Sequence, residues 1–226
     1  MRPCSTAAIL LVSLTLAACG TSKPPADRVL PPQAAASTSQ RSALETTPAA
    51  LPTTQVKRVD ASGLVFGEYL PPLDGGRIEL AVPDGWKTLP RDSKFVVRFA
   101  SLQSGGGLPR IDVVVQESHL GGFTDVTPAN VVDFTAAVAK DLEADGTAVI
   151  EPPIPMVIGS VACARYVSHL KLKIGEGTLL VERQTLGVLH AGRLYKINLL
   201  VELGKLTDSR DAAYALCAAV RFPEGE

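Results

Sequence analysis

The chain has 226 residues, of which 46% are hydrophobic, and its formal net charge is −1. This length allows one well-packed domain after any processed or extended segment is removed. Acids and bases are interspersed without a basic stripe or an arginine-rich arm, so nucleic acid is excluded as an expected partner.

The amino terminus has the pattern of an export signal. Arg2 precedes an apolar run from Ala7 to Ala18, which is shorter than the roughly 20 residues that a helix needs to span a membrane. Leu16-Ala17-Ala18-Cys19 resembles a bacterial lipobox, the motif at which a signal peptide is cut before a lipid-modified cysteine. The alternative is an ordinary secretory signal that is cut after Ala18 and leaves Cys19 as a free thiol.

The lipobox resemblance implies a signal peptide over residues 1–18 and lipidation, such as palmitate, at Cys19. The protein would then be anchored in the cell envelope on the extracytoplasmic side of a membrane. The residue after the cysteine is Gly20 and not aspartate, a pattern that resembles the outer-membrane sorting rule of some Gram-negative bacteria. The expected location is thus the outer membrane in a Gram-negative cell and the cell membrane otherwise.

Residues 19–58 are expected to form a lipidated, disordered tether. Proline, alanine, serine and threonine dominate this stretch, and no apolar period of a helix or strand persists. A partly stiff coil of this length spans roughly 35 Å on average. The segment is interpreted as a passive spacer, and a recognition segment is the alternative.

Residues 59–226 are expected to form a single α+β domain, because strand and helix periods alternate along them. Leu64–Leu70 reads as a short strand, and Arg77–Val82 alternates with Ile78, Leu80 and Val82 on one face. Trp86 follows the Pro83-Asp84-Gly85 turn and is expected to fold back onto the core; an exposed ligand platform is the alternative.

Two strands, 94–101 and 110–118, follow and are joined by a glycine-rich hairpin loop. Val113-Val114-Val115 is apolar on both faces, which predicts cover on both sides of that strand. Thr127-Pro128 is expected to open a helix whose apolar stripe is Val131, Phe134, Val138 and Leu142. Gly146 is its expected stop.

Three long strands are then predicted as an antiparallel meander: 156–172, 178–189 and 193–202. In the last one, Tyr195, Ile197, Leu199 and Val201 share one face, and Lys196, Asn198 and Glu202 lie on the other. A final helix, capped by Thr207 or Asp208, runs to about Val220 and packs on the sheet.

Two short signatures in this order resemble the PsbP/DcrB-like superfamily: Pro83-Asp84-Gly85-Trp86 and Gly192-Arg193-Leu194-Tyr195. The resemblance covers about residues 64–223. It implies an α/β/α sandwich with an antiparallel sheet of about six to seven strands and helices packed on both faces. Members are mostly non-enzymatic envelope lipoproteins, photosystem subunits, and binding or scaffolding proteins. No ligand site of that superfamily maps onto this chain.

Cys163 and Cys217 are a candidate disulfide, since disulfides persist outside the cytoplasm. The bridge would close a loop of about 55 residues and stabilise by roughly 4 kcal/mol in the chain-entropy model. The alternative is two buried free thiols.

No catalytic, cofactor-binding or metal-binding residue is assigned. His119, His169 and His190 lie outside any metal-ligand spacing, and a serine next to a histidine on a strand points to the opposite face. Asp112 and Glu117 are expected to be solvated carboxylates. The chain is therefore expected not to be an enzyme and to need no cofactor.

The resulting hypothesis is a lipid-anchored cell-envelope lipoprotein that acts as a non-catalytic binding or assembly module. Its expected partners are the membrane, through the lipid, and an envelope protein. The alternatives are a small-ligand carrier and an envelope hydrolase, and either would need a deep pocket with converging polar groups.

Overall fold

The structure is a computed structural model that describes residues 55–104, 107–174 and 177–223. Within these residues the chain forms ten strands and two helices. In chain order they are β1 (Lys57–Val59), β2 (Phe66–Tyr69), β3 (Ala81–Pro83), β4 (Trp86–Thr88), β5 (Val97–Ser101), β6 (Arg110–Glu117), α1 (Val131–Ala144), β7 (Val149–Ile158), β8 (Val161–Ile174), β9 (Gly177–His190), β10 (Arg193–Glu202) and α2 (Leu206–Ala218). The expected signal peptide, Cys19 and nearly all of the tether lie outside the described residues.

Eight of these strands form one sheet in the order β1-β7-β8-β9-β10-β6-β5-β4, and β2 and β3 form a separate ribbon. Every neighbouring pair in the main sheet is antiparallel except β1 and β7, which are parallel. The expected α+β class with a mostly antiparallel sheet is confirmed. The expected count of six to seven strands is wrong. Part of the difference is β1, which spans the expected tether boundary at residues 58 and 59.

A further part of the difference is a hairpin where one strand was expected over residues 156–172; β4 also joins the sheet, whereas the strands expected over 64–70 and 77–82 correspond to β2 and β3, which lie outside it. Gly159 has a φ of +59°, a conformation that L side chains rarely adopt, so the chain reverses there between β7 and β8. The Gly159 amide donates a hydrogen bond of 3.0 Å to the Val59 carbonyl, which ties this turn to β1. The expected three-strand meander is therefore four strands.

The sheet is shorter than expected at the start of the domain. Residues 77–80 form only isolated bridges outside the sheet, Leu73 to Ile78 and Glu79 to Arg221, and a regular strand begins only at Ala81, in the separate ribbon. Ile78 and Leu80 are nevertheless fully buried, as their alternation predicts. This segment packs against the carboxyl-terminal end of the domain.

The main hydrophobic core lies between α2 and one face of the sheet. Cys163 and Val167 of β8 and alternate residues of β10, from Tyr195 to Val201, contribute to it. From α2, Ala213, Leu216 and Cys217 are buried in the same core. The inward stripe predicted for this helix is confirmed, although the helix begins at Leu206, before the expected caps.

A second core lies between α1 and the opposite face of the sheet. It includes the β8 side chains that alternate with Cys163 and Val167. Phe134, Val138 and Leu142 pack there with Ala164 and Tyr166. The predicted apolar stripe is confirmed, but the helix begins at Val131 rather than at Thr127-Pro128. The Asn130 side-chain oxygen accepts a hydrogen bond of 2.7 Å from the Thr127 amide, so these residues form a turn before the helix.

The α1 helix packs mainly on β7 and β8. Among the described residues, no helix makes a comparable contact with β9, β10, β6 and β5 on the α1 side. Helical layers that cover both faces of the sheet are thus not observed there. Consistent with this, Val114 of β6 is only half-buried, whereas Val113 on the α2 side is fully buried.

Among the described residues, neither helix has the length and apolarity that crossing a membrane requires.

Candidate functional site

Cys163 and Cys217 are both buried in the main core and are free thiols in this structure. A hydrogen bond with Cys163 and complete burial raise the pKa of the Cys217 thiol well above its usual range. The two sulfurs predicted to form a bridge are therefore neighbours, and the bridge itself remains a prediction. Cys19, the predicted lipidation site, lies outside the described residues.

The histidines pair with carboxylates at separate places. The His119 Nε2 atom lies 2.7 Å from Asp141 of α1, and the His190 Nδ1 atom lies 2.9 Å from Asp125. Ser118 instead accepts a hydrogen bond from the Leu120 amide. In the described ranges, no serine hydroxyl is hydrogen-bonded to a histidine, and no group of three potential metal ligands is found.

The Gly192-Arg193-Leu194-Tyr195 signature belongs to an anchor centred on Asp74. The Arg193 guanidinium donates to both Asp74 carboxylate oxygens at 3.0 and 3.1 Å, and the Tyr195 hydroxyl donates to Oδ2 at 2.8 Å. Burial and the neighbouring Asp74 carboxylate raise the pKa of Tyr195 to about 12. Glu117 completes the group through a 2.7 Å bond from Arg193. The anchor holds the Asp74-Gly75-Gly76 turn against β10, which is a structural role.

Trp86 packs partly against the main core and also lines a cleft of about 490 Å³. The cleft lies between the Asp84-Gly85 turn, the end of β10 and the start of α2, and Lys205, Asp208 and Glu202 reach it. Its volume falls within the roughly 300–1,000 Å³ of small-molecule sites. A second groove of about 810 Å³ runs between the loops at residues 70–75 and 88–98.

The helix-free half of the sheet carries a row of polar residues that crosses five strands. The row consists of directly opposed residues: Arg98 on β5, Asp112 on β6, Asn198 on β10, Thr185 on β9 and Tyr166 on β8. Side chains directly opposite each other in a sheet lie about 5 Å apart and interact. The row is thus one continuous polar strip, and it ends under the edge of α1.

A parallel row two residues away adds further cations. It contains Arg110, Leu200, Arg183 and Ser168, on β6, β10, β9 and β8. Lys196 lies on the other side of the first row, two residues before Asn198. We call the surface formed by Arg98, Arg110, Arg183 and Lys196 around Asp112 the cationic face. All four cations are partly exposed.

Asp112 lies at the centre of the cationic face and is only 5% exposed. Its Oδ2 atom accepts a 3.0 Å hydrogen bond from Arg110 Nε, but its Oδ1 atom has no partner within the described residues. The Arg98 Nε atom is also buried without a partner there. Desolvation raises the pKa of Asp112, although the charges of Arg110 and Arg98 oppose this shift. The expectation of a solvated Asp112 is wrong, because neighbouring side chains exclude water from it.

The remaining polar groups of the face are more fully bonded. Thr185 donates to the Asn198 Oδ1 atom at 2.8 Å, and Arg183 donates to the Ser168 hydroxyl at 3.0 and 3.2 Å. Burial lowers the pKa of Lys196; the Asp141 and Asp145 carboxylates oppose this shift, and the Arg183 charge adds to it. These bonds fix Arg183 and Asn198, and Arg98 lies 3.8 Å from the Asp92 carboxylate, so the cations of the face already have polar or acidic neighbours within the chain.

Sequence reasoning did not identify this face as a site. The signal was the alternation in β6 and β10, which places Arg110, Asp112, Lys196 and Asn198 opposite the core residues. Assigning a site also required the strand order, because β6 is next to β10 in space although helix α1 and three strands separate them in the chain.

No family model and no curated protein matches this sequence. Solved structures do match over parts of their length. One is a crystal structure of a protein from Bacteroides thetaiotaomicron, with 10% identity and a TM-score of 0.46; the match covers 71% of this chain and 50% of the other. This chain therefore spans half of that protein.

Two further matches are the solution structure of cyanobacterial PsbP (CyanoP) from Synechocystis and the crystal structure of LpqN of Mycobacterium tuberculosis. CyanoP has 12% identity and a TM-score of 0.38, with 66% of this chain and 88% of that one covered. LpqN, described as involved in cell envelope biogenesis, has 18% identity and a TM-score of 0.39, with 65% and 83% covered.

Proposed function

We propose that this chain is a lipid-anchored lipoprotein of the bacterial cell envelope, and that its domain is a non-catalytic module for binding or assembling another envelope protein. The lipobox-like Leu16-Ala17-Ala18-Cys19 supports the anchor, and the composition of residues 19–58 supports a flexible connection between anchor and domain.

The cationic face is the observation that carries the binding role. Among the described residues, about half of one sheet face has no helix packed on it and presents four partly exposed cations, with Asp92 beside Arg98 and Asp141 and Asp145 near Lys196. Buried polar atoms without a partner are rare in folded proteins, yet Asp112 Oδ1 and Arg98 Nε are both of this kind among the described residues. These two atoms lie beneath the surface, so the exposed parts of the four basic side chains are what the face offers to a second molecule.

The lipid anchor is tested by substituting Cys19 with serine in native cells. We expect the wild-type chain in the membrane fraction with an acylated amino-terminal cysteine by mass spectrometry, and the variant in the soluble fraction or unprocessed. Cys4→Ser is the matched control, because Cys4 would be removed with the signal peptide. An unmodified thiol at Cys19 in the membrane-derived wild type would refute the anchor.

The binding role is tested by crosslinking the acylated protein in native membranes and identifying what co-purifies. We expect one defined envelope protein in reproducible amounts. If the chain is recovered only as an uncrosslinked monomer over a range of crosslinker lengths, the binding role is wrong.

The Trp86 cleft favours a second candidate function, the carriage of a small ligand. Its volume and its mixed lining of tryptophan, carboxylates and Lys205 suit a ligand with apolar and polar parts. Trp86 is the single tryptophan of the chain, so its fluorescence reports directly on this cleft. A small molecule retained in native mass spectra of the purified protein, and lost from Trp86→Ala, would support this function; ligand-free spectra would remove it.

A further inference from the structure

We infer that one end of the domain docks on a lipid bilayer through exposed apolar side chains, on the same membrane that holds the proposed lipid anchor. The inference rests on that anchor and adds a second contact with the membrane, which orients the domain. We call this part of the domain the apolar end; its side chains are Val149, Ile150, Leu179, Leu180, Leu203 and Leu102, together with Val65.

The topology of the sheet brings these side chains together. Among the described residues, seven large hydrophobic side chains are exposed, and they are the seven of the apolar end. Six lie near the starts of β7 and β9 or directly after β10 and β5, which the antiparallel pairing places at one edge of the sheet. The carbonyl of the seventh, Val65, accepts a 3.2 Å hydrogen bond from the Asp84 amide in the turn before β4, and β4 starts opposite the last residue of β5.

Packing within the domain does not account for this distribution. Single exposed hydrophobic residues are normal on a protein surface, but scattered ones would occur at both ends of the sheet. The opposite end, which contains the Gly159-Ser160 and Ala191-Gly192 turns, has none of the seven. Leu102 and Leu203 are 60% and 48% exposed, so an apolar phase can cover them without any change in the fold.

The layout of the apolar end favours a bilayer over a second protein. β7 and β5 are five positions apart in the sheet, so the apolar side chains are spread over roughly 24 Å. Between them lie the exposed Lys171 and Lys173 of β8 and the cleft that Trp86 lines. The core of a protein interface is depleted of charged residues. A bilayer interface instead admits separate apolar side chains, with lysine ammonium groups and tryptophan rings at the level of the headgroups.

Apolar burial rather than charge drives this contact. The Lys205 ammonium group lies 3.9 Å from the Asp208 carboxylate, and further acids offset the other lysines near the apolar end. The residues concerned are Lys171, Lys173 and Lys205, against Asp84, Glu182, Glu202 and Asp208. Because there is no excess of positive charge, a neutral lipid surface is sufficient, and salt should change the contact little.

The position of β1 allows the proposed anchor to support this contact. Lys57 is opposite Met156, so the chain enters the domain about 23 Å from the start of β7. β1 runs parallel to β7 and thus away from the apolar end, so a connection from a bilayer at that end needs no reversal of the chain. The tether expected over residues 19–58 spans roughly 35 Å on average, which covers this distance. Tethering of this kind gives a high effective concentration, so a contact of low intrinsic affinity is sufficient.

Docking at the apolar end orients the domain on the membrane. The long strands then point toward the bilayer, and the cationic face lies to the side, where it stays free for the proposed partner. Leu180 is paired with Lys171 near the end of β8, whereas Ser160 directly precedes the start of β8. The two ends of the sheet therefore differ by about 30 Å in their distance from the lipid.

The first experiment measures this difference with the full-length acylated chain in phosphatidylcholine vesicles that contain a lipid brominated near its headgroup. Trp86→Phe removes the single tryptophan, and a reporter is then introduced as Leu102→Trp or, for comparison, as Ser160→Trp. We expect the bromine to quench emission from position 102 at least about threefold more than emission from position 160, because inserted side chains reach about 5–10 Å into the interface. Equal quenching of the two reporters would overturn the inference.

Paired variants that retain Trp86 show whether the leucines carry the contact. Leu102→Ser with Leu203→Ser should lower the docked fraction, measured by quenching of Trp86, by about fivefold or more. The control Leu102→Met with Leu203→Met keeps the apolar surface and should dock as the wild type does. Docking of the wild type should change by less than about twofold between about 0.05 M and 0.5 M salt. Circular dichroism checks folding, and equal docking of the two double variants would refute the role of the apolar end.

The last experiment places a photo-crosslinking residue at Leu179 in native membranes. We expect crosslinks from position 179 to phospholipid. Crosslinks to a second copy of the chain or to another protein, without phospholipid, would overturn the inference and leave the proposed function standing. A chain that mass spectrometry shows to be unacylated at Cys19 would overturn the proposed anchor and the inference together.

Discussion

At the scale of single residues, the buried carboxyl of Asp112 costs the folded domain stability at neutral pH. Its pKa is raised because burial disfavours the carboxylate more than Arg110 and Arg98 favour it. A raised pKa in the folded state means that the stability contributed by this group is fully present below its unfolded pKa of 3.8 and is lost as the pH rises through the folded pKa. At neutral pH the ionised carboxylate therefore lowers the stability of the domain.

Asp112→Asn should accordingly raise the thermal midpoint of unfolding at pH 7. The gain should shrink as the pH falls toward 3.8, because the wild-type carboxyl becomes protonated in both states. The measurement is the midpoint of both proteins by circular dichroism across this pH range, with the exposed Asp84→Asn as the control. A gain that is constant with pH would show that the carboxyl does not titrate as its burial requires.

Asp74 is the residue on which the anchor at the start of β10 depends. Asp74→Asn keeps the side-chain shape and suits the positive φ of +51°, but it removes the charge that binds Arg193 and Tyr195. We expect a loss of about 1–3 kcal/mol in the free energy of unfolding, as for charge-assisted hydrogen bonds. Urea denaturation measures it, and Asp84→Asn should change it by less than about 0.5 kcal/mol.

The pKa of Tyr195 distinguishes the loss of its bond to Asp74 from a general loss of stability in Asp74→Asn. In Asp74→Asn the pKa of Tyr195 should fall from about 12 toward 10 without reaching it, because burial, the largest cause, remains. NMR titration of the tyrosine ring carbons follows this change. An unaltered Tyr195 titration would mean that Asp74 is not its partner in solution.

At the scale of elements, the contact between β8 and α2 contains the two buried cysteines. Cys163 is in the strand, Cys217 is in the helix, and the Cys163 thiol lies near enough to raise the pKa of the Cys217 thiol. A bridge formed in an oxidising envelope would join the sheet to its covering helix and restrict the unfolded chain.

We therefore predict that the protein isolated without reductant contains a Cys163–Cys217 disulfide, which stabilises it by up to about 4 kcal/mol. Denatured protein should react with no maleimide before reduction and with two equivalents afterwards. The oxidised wild type should also unfold at a higher temperature than Cys163→Ser. Two reactive thiols in the unreduced envelope protein would favour the alternative of buried free cysteines.

At the scale of the whole molecule, the sheet ends at β1, a strand of three residues that covers the edge of the long strand β7. Val56 and Val59 also pack against the two sides of the sheet, in different clusters. An uncovered edge strand is a site of intermolecular pairing. The beginning of the domain thus protects the sheet as well as connecting it to residues 19–58.

Two truncations of the chain test this role. Removal of residues 1–54 should leave the thermal midpoint of the domain nearly unchanged. Removal of residues 1–60 deletes β1 and should lower the midpoint and increase aggregation, which light scattering detects. Identical behaviour of the two truncated proteins would show that β1 does not protect β7.

The sequence alone was sufficient for the α+β class, the apolar stripes of α1 and α2, and the core-facing side of β10. Each depends on local periodicity, since neighbours three or four residues apart share a helix face and every second residue shares a strand face. Local patterns also separated Lys196 and Asn198 from the core residues. They indicated no site there, because nothing in the chain marks which strands lie side by side.

Only the tertiary structure decided the strand count, the burial of Asp112 and the existence of the cationic face. Gly159 reverses the chain through its positive φ and bonds to Val59 of β1. Among the described residues, α1 packs mainly on β7 and β8 and contacts β9 and β10 less. Asp112 meets Asn198 through strands that are distant in sequence, whereas Arg98 lies opposite it on the neighbouring hairpin strand β5. Contacts of this kind depend on strand order, and strand order is fixed by the packing of the whole domain rather than by any local pattern.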